Sequence, residues 1–159
     1  MSSPLRRLLV LLASLAMILA AAGAAAPAAL AGPPPTNTRV AGIDVDASTI
    51  PQLEALMNRH RLSSVQLVQF YLHRIARLNP KLHAVITVSR TALADARRAD
   101  AARRGGDRRP LLGIPIIVKD NIDTTIMPTT AGSWALAGST PRDAFIVRRL
   151  KAAGALIIC

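Results

Sequence analysis

Cysteine, aromatic and acidic residues are scarce in this sequence of 159 residues. The single cysteine, Cys159, excludes a disulfide within the chain, so the fold is predicted to depend on an apolar core. Aromatic residues make up only 3% of the sequence, and alanine, leucine, isoleucine and valine must therefore fill that core. The three histidines, His60, His73 and His83, are too dispersed to form a metal-binding motif, and no metal site is predicted.

Acidic residues number 9 against 20 lysines and arginines, which gives a net charge of +11. Such an excess can favour nucleic acid or a membrane surface as a partner. The arginines are spread over predicted helices, and the densest group is Arg97, Arg98, Arg103 and Arg104. No aromatic residues are interleaved with this group to stack on bases, so we interpret it as a solvated helix face and predict no nucleic-acid partner.

The first 31 residues have the pattern of a secretory signal peptide. Arg6 and Arg7 form a positive n-region, residues 8–22 are almost entirely apolar, and Ala29-Leu30-Ala31 has the small-x-small pattern of a cleavage site. We predict export with cleavage after Ala31, which leaves no stable membrane anchor. The alternative is an uncleaved anchor, because small and apolar residues continue almost far enough to span a bilayer. A twin-arginine signal fits the residues around Arg6 and Arg7 only loosely.

Residues 32–48 begin with consecutive prolines and are predicted to be a Pro-rich linker and lead-in. The folded domain is predicted to cover residues 49–159. Thr49-Ile50-Pro51-Gln52 and Ser63-Ser64-Val65-Gln66 both have the pattern of a capping box. They predict two amphipathic helices in series, the second of which ends at Asn79-Pro80 because proline breaks helical hydrogen bonding.

The remaining residues predict alternating extended segments and helices, and therefore an α/β fold class. Residues 82–88 have the partly alternating pattern of a strand or extended segment, and 91–104 form an alanine-rich helix. An apolar strand from 114 to 118, a helix opening at 140 and a second strand from 155 to 158 make a βαβ unit. The two strands of such a unit are expected to be parallel.

A lysine follows the first of these strands. Ile116-Ile117-Val118 is an unbroken apolar run, typical of a strand buried on both faces, and Lys119 stands at its carboxyl end. Open α/β sheets bind ligands at that end, and a poorly solvated lysine can act as a base. Alternatively, Lys119 simply ends the strand in solvent. If Lys119 is catalytic, Asp120 and Asp123 are expected to point away from it and to serve as loop caps or hydrogen-bond acceptors.

Residues 124–133 form a predicted loop that is rich in hydroxyl groups. These hydroxyls would either bind a substrate, orient Lys119 or satisfy the backbone of a tight loop, and the sequence fits all three roles. Ser133 lacks the context of a nucleophile elbow, so it is not assigned as a nucleophile.

The segment from Leu111 to Ile158 resembles the opening of the amidase signature family. The likeness runs through the lysine strand, the Thr129–Ser133 turn and the residues around Arg142-Asp143-Ala144, and the helices between 49 and 104 have the family's usual order. This resemblance implies an α/β fold with a mixed, largely parallel central sheet covered by helices. Residues 49–159 would be its N-terminal part.

The resemblance also implies a function. Members of this family hydrolyse carboxamides with a Ser–Ser–Lys triad, and Lys119 matches the catalytic lysine. A bridging serine, held through a cis peptide bond, passes a proton from the nucleophilic serine to the neutral lysine. Both serines belong to later Gly/Ser-rich motifs that do not occur before Cys159. The 159 residues alone are therefore expected to be inactive and poorly folded.

A small-molecule or peptide amide is the implied substrate, and neither a metal nor an organic cofactor is needed. Two alternatives fit the same residues. One is a subunit that amidates mischarged transfer RNA, which shares these motifs but works in the cytosol. The other is an exported, non-catalytic binding module made of the capped helices and the βαβ unit.

Overall fold

The computed structural model describes residues 38–159; the predicted signal peptide and the prolines of the linker lie outside them. In chain order, the elements are strands β1 Arg39–Val40 and β2 Ile43–Asp44, helices α1 Ile50–Asn58, α2 Ser64–Leu82 and α3 Ala92–Arg104, strand β3 Pro115–Ile116, a 3-10 helix Trp134–Leu136, helix α4 Phe145–Ala152 and strand β4 Leu156–Ile157.

Strands β1 and β2 form an antiparallel hairpin before the first helix. Its two turn residues, Ala41 and Gly42, both have positive φ angles, of 50° and 80°. Such a turn matches the twist of the flanking strands. Val40 and Val45 are buried and join the core that α1 and α2 form with Ile114. Residues assigned to the lead-in thus contribute two strands to the packed structure, because Val40 and Val45 find apolar partners there.

Both predicted capping boxes are confirmed. The Gln52 N–H donates to Thr49 Oγ1 at 3.4 Å, and the Thr49 N–H donates back to Gln52 Oε1 at 2.8 Å. Ser63 and Gln66 make the same reciprocal pair, at 3.1 and 2.9 Å. These four bonds satisfy N–H groups that have no partner inside the helix, and they fix where α1 and α2 begin.

The predicted end of α2 at Asn79-Pro80 is wrong, since the helix continues through Pro80 to Leu82. The last turn is closed by the His83 N–H, which donates to the Asn79 carbonyl oxygen at 2.8 Å. His83 itself adopts the left-handed conformation, with a φ of 48°, and ends the helix. The proline therefore removes one hydrogen bond without stopping the helix.

Residues 82–88 do not pair as a strand anywhere in the described part of the chain. The Asn79 side chain takes the place of a neighbouring strand: its amide donates to the Val85 carbonyl oxygen and its oxygen accepts from the Val85 N–H, both at 2.8 Å. Farther on, the Ser89 N–H donates to the Ile158 carbonyl oxygen at 2.9 Å. The segment is thus held in place by a side chain and by the end of β4.

Helices α2 and α3 pack through small residues. Ala92, Ala96 and Ala99 on α3 are all buried, and they allow the two helix axes to approach closely. The Asp100 carboxylate of α3 accepts from the backbone N–H groups of Ser64 and Val65, at 2.7 and 3.2 Å. A negative charge at the N-terminus of α2 is favourable because the helix dipole is positive there.

Arg103 contradicts the prediction of a wholly solvated arginine face. Its neighbours Arg97, Arg98 and Arg104 are exposed, but Arg103 itself is only 2% exposed. Its guanidinium donates to Glu54 Oε2 at 2.9 Å, and it also donates to the side chain of Asn58 and to the Leu112 carbonyl oxygen. The buried position follows from these partners, which lie far from Arg103 in the sequence.

Strands β3 and β4 are parallel, as the predicted βαβ unit requires, with Pro115 opposite Leu156 and Ile116 opposite Ile157. The backbone bonds continue beyond both strands, from the Gly113 N–H to the Gly154 oxygen at one end and from the Val118 N–H to the Cys159 oxygen at the other, each 2.9 Å long. Ile117 is 61% exposed, so the predicted burial on both faces is wrong. Among the described residues β3 has a single neighbour, β4, which leaves its other edge uncovered.

Helix α4 connects the two strands but begins at Phe145, not at Thr140 as predicted. Asp143, expected in its first turn, serves a different purpose. Its carboxylate accepts from the Thr125 N–H and from Lys151 Nζ, both at 2.7 Å, and so ties the loop after β3 to α4. Val147 is fully buried and lies on the packed side of α4. None of the helices in residues 38–159 has the length and apolarity needed to cross a bilayer.

Acid is expected to destabilise the protein, because four carboxyl groups have pKa values below their usual range. Hydrogen bonds from the backbone of Ala47 and of Arg109 lower the pKa of Asp44 and Asp107, respectively. Burial raises the pKa of Asp143, but hydrogen bonds from Lys151 and Thr125 outweigh it; the Thr130 hydroxyl lowers that of Asp120. The unfolded chain therefore binds protons first, so this stabilisation is present above about pH 4 and is lost as the pH falls through the folded-state values.

Urea unfolding of the intact gene product at about pH 6 and about pH 3 tests this expectation, with a lower midpoint at the acidic pH. Asp143→Asn should reduce the difference between the two midpoints, because one of the four groups is then removed. Asp123→Asn is the matched control, since the Asp123 side chain is exposed. Equal midpoints at the two pH values would contradict the prediction.

Candidate active site

Lys119 lies where the parallel pairing ends. The last backbone bond of the pair joins Val118 to Cys159, and the chain then turns, with the Ile122 N–H donating to the Lys119 carbonyl oxygen at 2.9 Å. The Lys119 side chain is exposed and lines a pocket of about 660 Å³. Within residues 38–159 its ammonium group has no hydrogen bond and no ion pair. The amine therefore faces the pocket without a carboxylate partner from this part of the chain.

Three stretches of chain enclose this pocket: residues 84–87, residues 117–122 and the loop from Thr124 to Gly132, with Cys159 between them. Most of the lining side chains are aliphatic. Lys119 and Asp120 are the only charged residues of the lining. An apolar cavity with a few polar groups at one end is typical of a site for a small molecule.

Two of the hydroxyls of the loop, those of Thr124 and Thr129, bond to the loop itself. Thr124 Oγ1 donates to the Met127 carbonyl oxygen at 3.1 Å and accepts from the Met127 N–H at 3.2 Å. Thr129 Oγ1 accepts from the Thr124 N–H at 3.4 Å, and both threonines are buried. The sequence left three roles open for these hydroxyls. The structure shows that this pair forms hydrogen bonds with the backbone of the loop.

Asp120 has the predicted role of a hydrogen-bond acceptor. Its carboxylate accepts from the Thr130 N–H at 3.1 Å, from the Thr130 hydroxyl and from the Gly132 N–H at 3.3 Å. Its backbone oxygen accepts from the Ala131 N–H at 3.1 Å. The hydrogen bond from the Thr130 hydroxyl is the main reason why the pKa of Asp120 is lowered. Asp123 is exposed, and its carbonyl oxygen accepts from the Ala144 N–H at 2.9 Å.

The other residues considered from the sequence lie outside the pocket lining. Ser133 is exposed and precedes the 3-10 helix, with its N–H donating to the Thr130 carbonyl oxygen at 2.8 Å. His60 and His83 follow helices in left-handed conformations, and His73 is exposed on α2. In the part of the chain that the structure describes, no group of histidine, cysteine and acidic side chains is arranged to hold a metal ion.

Sequence reasoning missed two parts of the pocket. Cys159 lines it, and burial raises the pKa of its thiol, so this cysteine is a neutral wall residue. The parallel pairing predicted for the βαβ unit contained the signal for this placement, because the carboxyl ends of parallel strands lie side by side. Residues 84–87 had no comparable signal. Their position depends on the contact between Asn79 and Val85 and on the bond from Ser89 to Ile158.

Comparisons with known proteins show which family the chain resembles. Residues 66–159 match the model of the family described as Amidase. The chain is 44% identical over 119 residues to a probable amidase of Arabidopsis thaliana, an alignment that covers 72% of this chain and 23% of the relative. It is 46% identical over 112 residues to a glutamyl-tRNA(Gln) amidotransferase subunit of Roseiflexus castenholzii, covering 69% of this chain and 23% of that protein.

Solved structures of amidases are also similar to this chain. The native peptide amidase from Stenotrophomonas maltophilia superposes with a TM-score of 0.68 at 46% identity, over 70% of this chain and 24% of that one. An amidase family protein from Bacillus anthracis superposes with a TM-score of 0.66 at 33% identity. The chain thus spans about a quarter of the length of the relatives that it matches.

Proposed function

The family match covers more than half of the residues, so the chain belongs to the amidase family. We propose that the intact gene product hydrolyses the C–N bond of carboxamides. The family resemblance and the α/β fold expected from the sequence are both confirmed by these matches. One observation carries the proposal about activity: Lys119 lies at the carboxyl end of a parallel strand pair and faces a pocket without a carboxylate partner from the described residues.

Lys119 is proposed to be the general base. A base must be deprotonated to act, and a nearby carboxylate stabilises the protonated form of an amine. Asp120, the charged group next to it in the chain, is engaged by Thr130 and Gly132 instead. The arrangement therefore supports Lys119 as the base for a reacting group in the pocket.

The family resemblance supplies the rest of the proposed reaction. Neutral Lys119 accepts a proton from a bridging serine, which in turn takes the proton of the nucleophilic serine. The nucleophile attacks the carboxamide carbonyl, the C–N bond breaks, and the proton taken up by Lys119 passes to the leaving ammonia or amine; water then hydrolyses the resulting acyl-enzyme. Backbone N–H groups near the nucleophile stabilise the negative oxygen of the intermediate. Of this triad, residues 1–159 supply the lysine, and neither a metal nor an organic cofactor takes part.

A hydroxylamine trap tests the proposal. The intact gene product is incubated with fatty, peptidyl, aryl and small aliphatic amides, and the released ammonia or amine is measured. An acyl-enzyme also transfers its acyl group to hydroxylamine, so we expect a hydroxamate to form from any amide that is hydrolysed. Residues 38–159 expressed alone are the control and should form no hydroxamate. An intact product that releases neither amine nor hydroxamate would favour the non-catalytic binding module.

A second candidate function is amide transfer to mischarged transfer RNA. The identity of 46% to a glutamyl-tRNA(Gln) amidotransferase subunit favours it, whereas the export proposed from the pattern of residues 1–31 argues against it. Glutamine hydrolysis that depends on added glutamyl-tRNA would identify the transferase. Hydrolysis of simple amides by the protein alone, recovered from the exported fraction, would identify the exported amidase.

A further inference from the structure

Three consecutive residues of one turn direct their backbone N–H groups at Asp120. Those of Thr130 and Gly132 reach its carboxylate, and that of Ala131 reaches its main-chain oxygen. The Thr130 hydroxyl adds a fourth bond. Asp120, at the end of the lysine strand, therefore accepts from each of the three residues of this turn.

The turn needs such an anchor. Ala131 and Gly132 have φ angles of 48° and 76°, in the left-handed region that disfavours residues with a Cβ atom. An alanine in this region persists only where surrounding contacts hold the backbone in place. Here the contacts come from Asp120, and Gly132 gains a further bond to Thr130 Oγ1 at 3.1 Å.

The anchored turn forms one wall of the pocket that Lys119 faces. Ala131 and Gly132 line the pocket together with Lys119 and Asp120. The titratable side chains of the lining are Lys119, Asp120 and Cys159; residues 84–87 and the lining residues from Thr124 to Gly132 contribute none. The state of the Asp120 carboxylate thus decides both the position of this wall and the charge beside the lysine.

We propose that Asp120 is a positioning residue for amide hydrolysis. By accepting from Thr130 and Gly132, it fixes the turn against the end of the lysine strand and keeps its own carboxylate from pairing with the Lys119 ammonium. This inference rests on the proposed function, because it gives Lys119 the role of the base. Asp120 acts through the turn and through Lys119, without contact to the reacting atoms.

Two substitutions weaken the hydrogen bonds between Asp120 and the turn, with opposite electrostatic consequences. Asp120→Asn removes the negative charge beside Lys119, whereas Thr130→Val keeps the charge and releases it from one of its donors. Both should lower kcat by about 10- to 100-fold with a smaller change in KM, because the wall of the site is displaced. The acid limb of the kcat/KM profile should move to lower pH in Asp120→Asn and to higher pH in Thr130→Val, because a nearby carboxylate favours a protonated amine.

Thr130→Ser and Asp123→Asn are the matched controls. Serine restores the hydroxyl donor and should restore the wild-type rate and pH profile. Asp123 is exposed and close in sequence, so its replacement should change neither. A purely structural role for Asp120 predicts a lower melting temperature and less active protein with an unmoved acid limb. That result, or an Asp120→Asn variant as active as Asp123→Asn, would overturn the proposal.

Chemical labelling separates this inference from the proposed function. Acetic anhydride modifies only neutral amines, so the pH dependence of Lys119 labelling, read by peptide mass spectrometry, follows the lysine without any turnover. Opposite shifts in Asp120→Asn and Thr130→Val, with faster hydrogen exchange at Ala131 and Gly132, support the positioning role even if no amide is hydrolysed. Hydrolysis that survives Lys119→Arg would instead refute the proposed base. Unshifted labelling in both variants would refute the role of Asp120 alone.

Discussion

Replacing Lys119 with arginine or alanine in the intact gene product is expected to reduce kcat for carboxamide hydrolysis by about 10²- to 10⁴-fold, which is the usual contribution of a general base. Arginine retains the positive charge and much of the reach of lysine. Its guanidinium cannot be deprotonated in a protein, so it cannot accept the proton of a serine. The two variants should therefore be equally inactive, although only alanine removes the charge.

The measurement is steady-state hydrolysis, together with circular dichroism to verify that each variant is folded. Because Lys119 is exposed and unpaired within the described residues, its loss should leave the melting temperature nearly unchanged. Lys81→Arg is a matched control on the surface of α2, and full activity is expected. Near-normal turnover in Lys119→Arg would show that the lysine only ends a strand.

Arg103→Met is expected to lower the free energy of unfolding by about 3–5 kcal/mol, the cost of leaving one partner of a buried ion pair alone. The Arg103 side chain is 3% exposed and that of Glu54 is 14% exposed, so the abandoned carboxylate is poorly reached by water. The Leu112 carbonyl oxygen also loses its guanidinium donor. Urea unfolding of the intact gene product measures the change, with Arg104→Met as the exposed control, for which a change within about 0.5 kcal/mol is expected.

The pair itself is incompletely satisfied. Within the described residues, Glu54 Oε1 and Arg103 Nε are buried without a hydrogen-bond partner. Replacing both residues, as in Glu54→Leu with Arg103→Met, removes these two polar groups together. The double variant should therefore be more stable than the sum of the single effects predicts, by about 0.5–3 kcal/mol. An Arg103→Met variant as stable as Arg104→Met would contradict the importance of the buried pair.

The parts of the fold that the sequence predicted correctly are those determined by short-range contacts. Each capping box joins residues three apart, so Thr49 with Gln52 and Ser63 with Gln66 carry the information for a helix start within one turn. The parallel pairing of β3 and β4 was also predictable, because a strand, a helix and a strand in series have few ways to bury their apolar residues.

Two of the predictions that were wrong concern residues with partners on other elements of the fold. Arg103 is buried because Glu54, on another helix, accepts from it. Asp143 lies before α4 instead of inside it because Thr125 and Lys151 both donate to its carboxylate. Composition and spacing carry no information about such partners.

Some features of the candidate site were predictable from the sequence and others were not. The sequence placed Lys119 at the end of a strand and predicted that Asp120 would act as an acceptor, and the structure shows both features. It left open what the loop hydroxyls do, because a threonine serves a backbone or a ligand equally well. The wall formed by residues 84–87 was unpredictable, since Asn79 and the end of β4 position it.

Because of the pairing of β3 with β4, substitutions in this segment are expected to affect Lys119 differently from insertions or deletions. The hydrogen bonds that pair residues 113–118 with the second strand are made by backbone groups alone. Gly154 lies so close to residue Leu112 that a Cβ added to the glycine would be 2.7 Å from the Leu112 Cα. An exposed side chain such as Ile117 can therefore be exchanged while the lysine keeps its place, whereas Ile114 is buried in the core and an added Cβ on Gly113 would be 1.8 Å from Ser64 Oγ. A residue inserted or deleted between Gly113 and Lys119 would turn the amine to the opposite face of the sheet. If this site is transferred to another scaffold, keeping the length of that segment is therefore more important than keeping its composition.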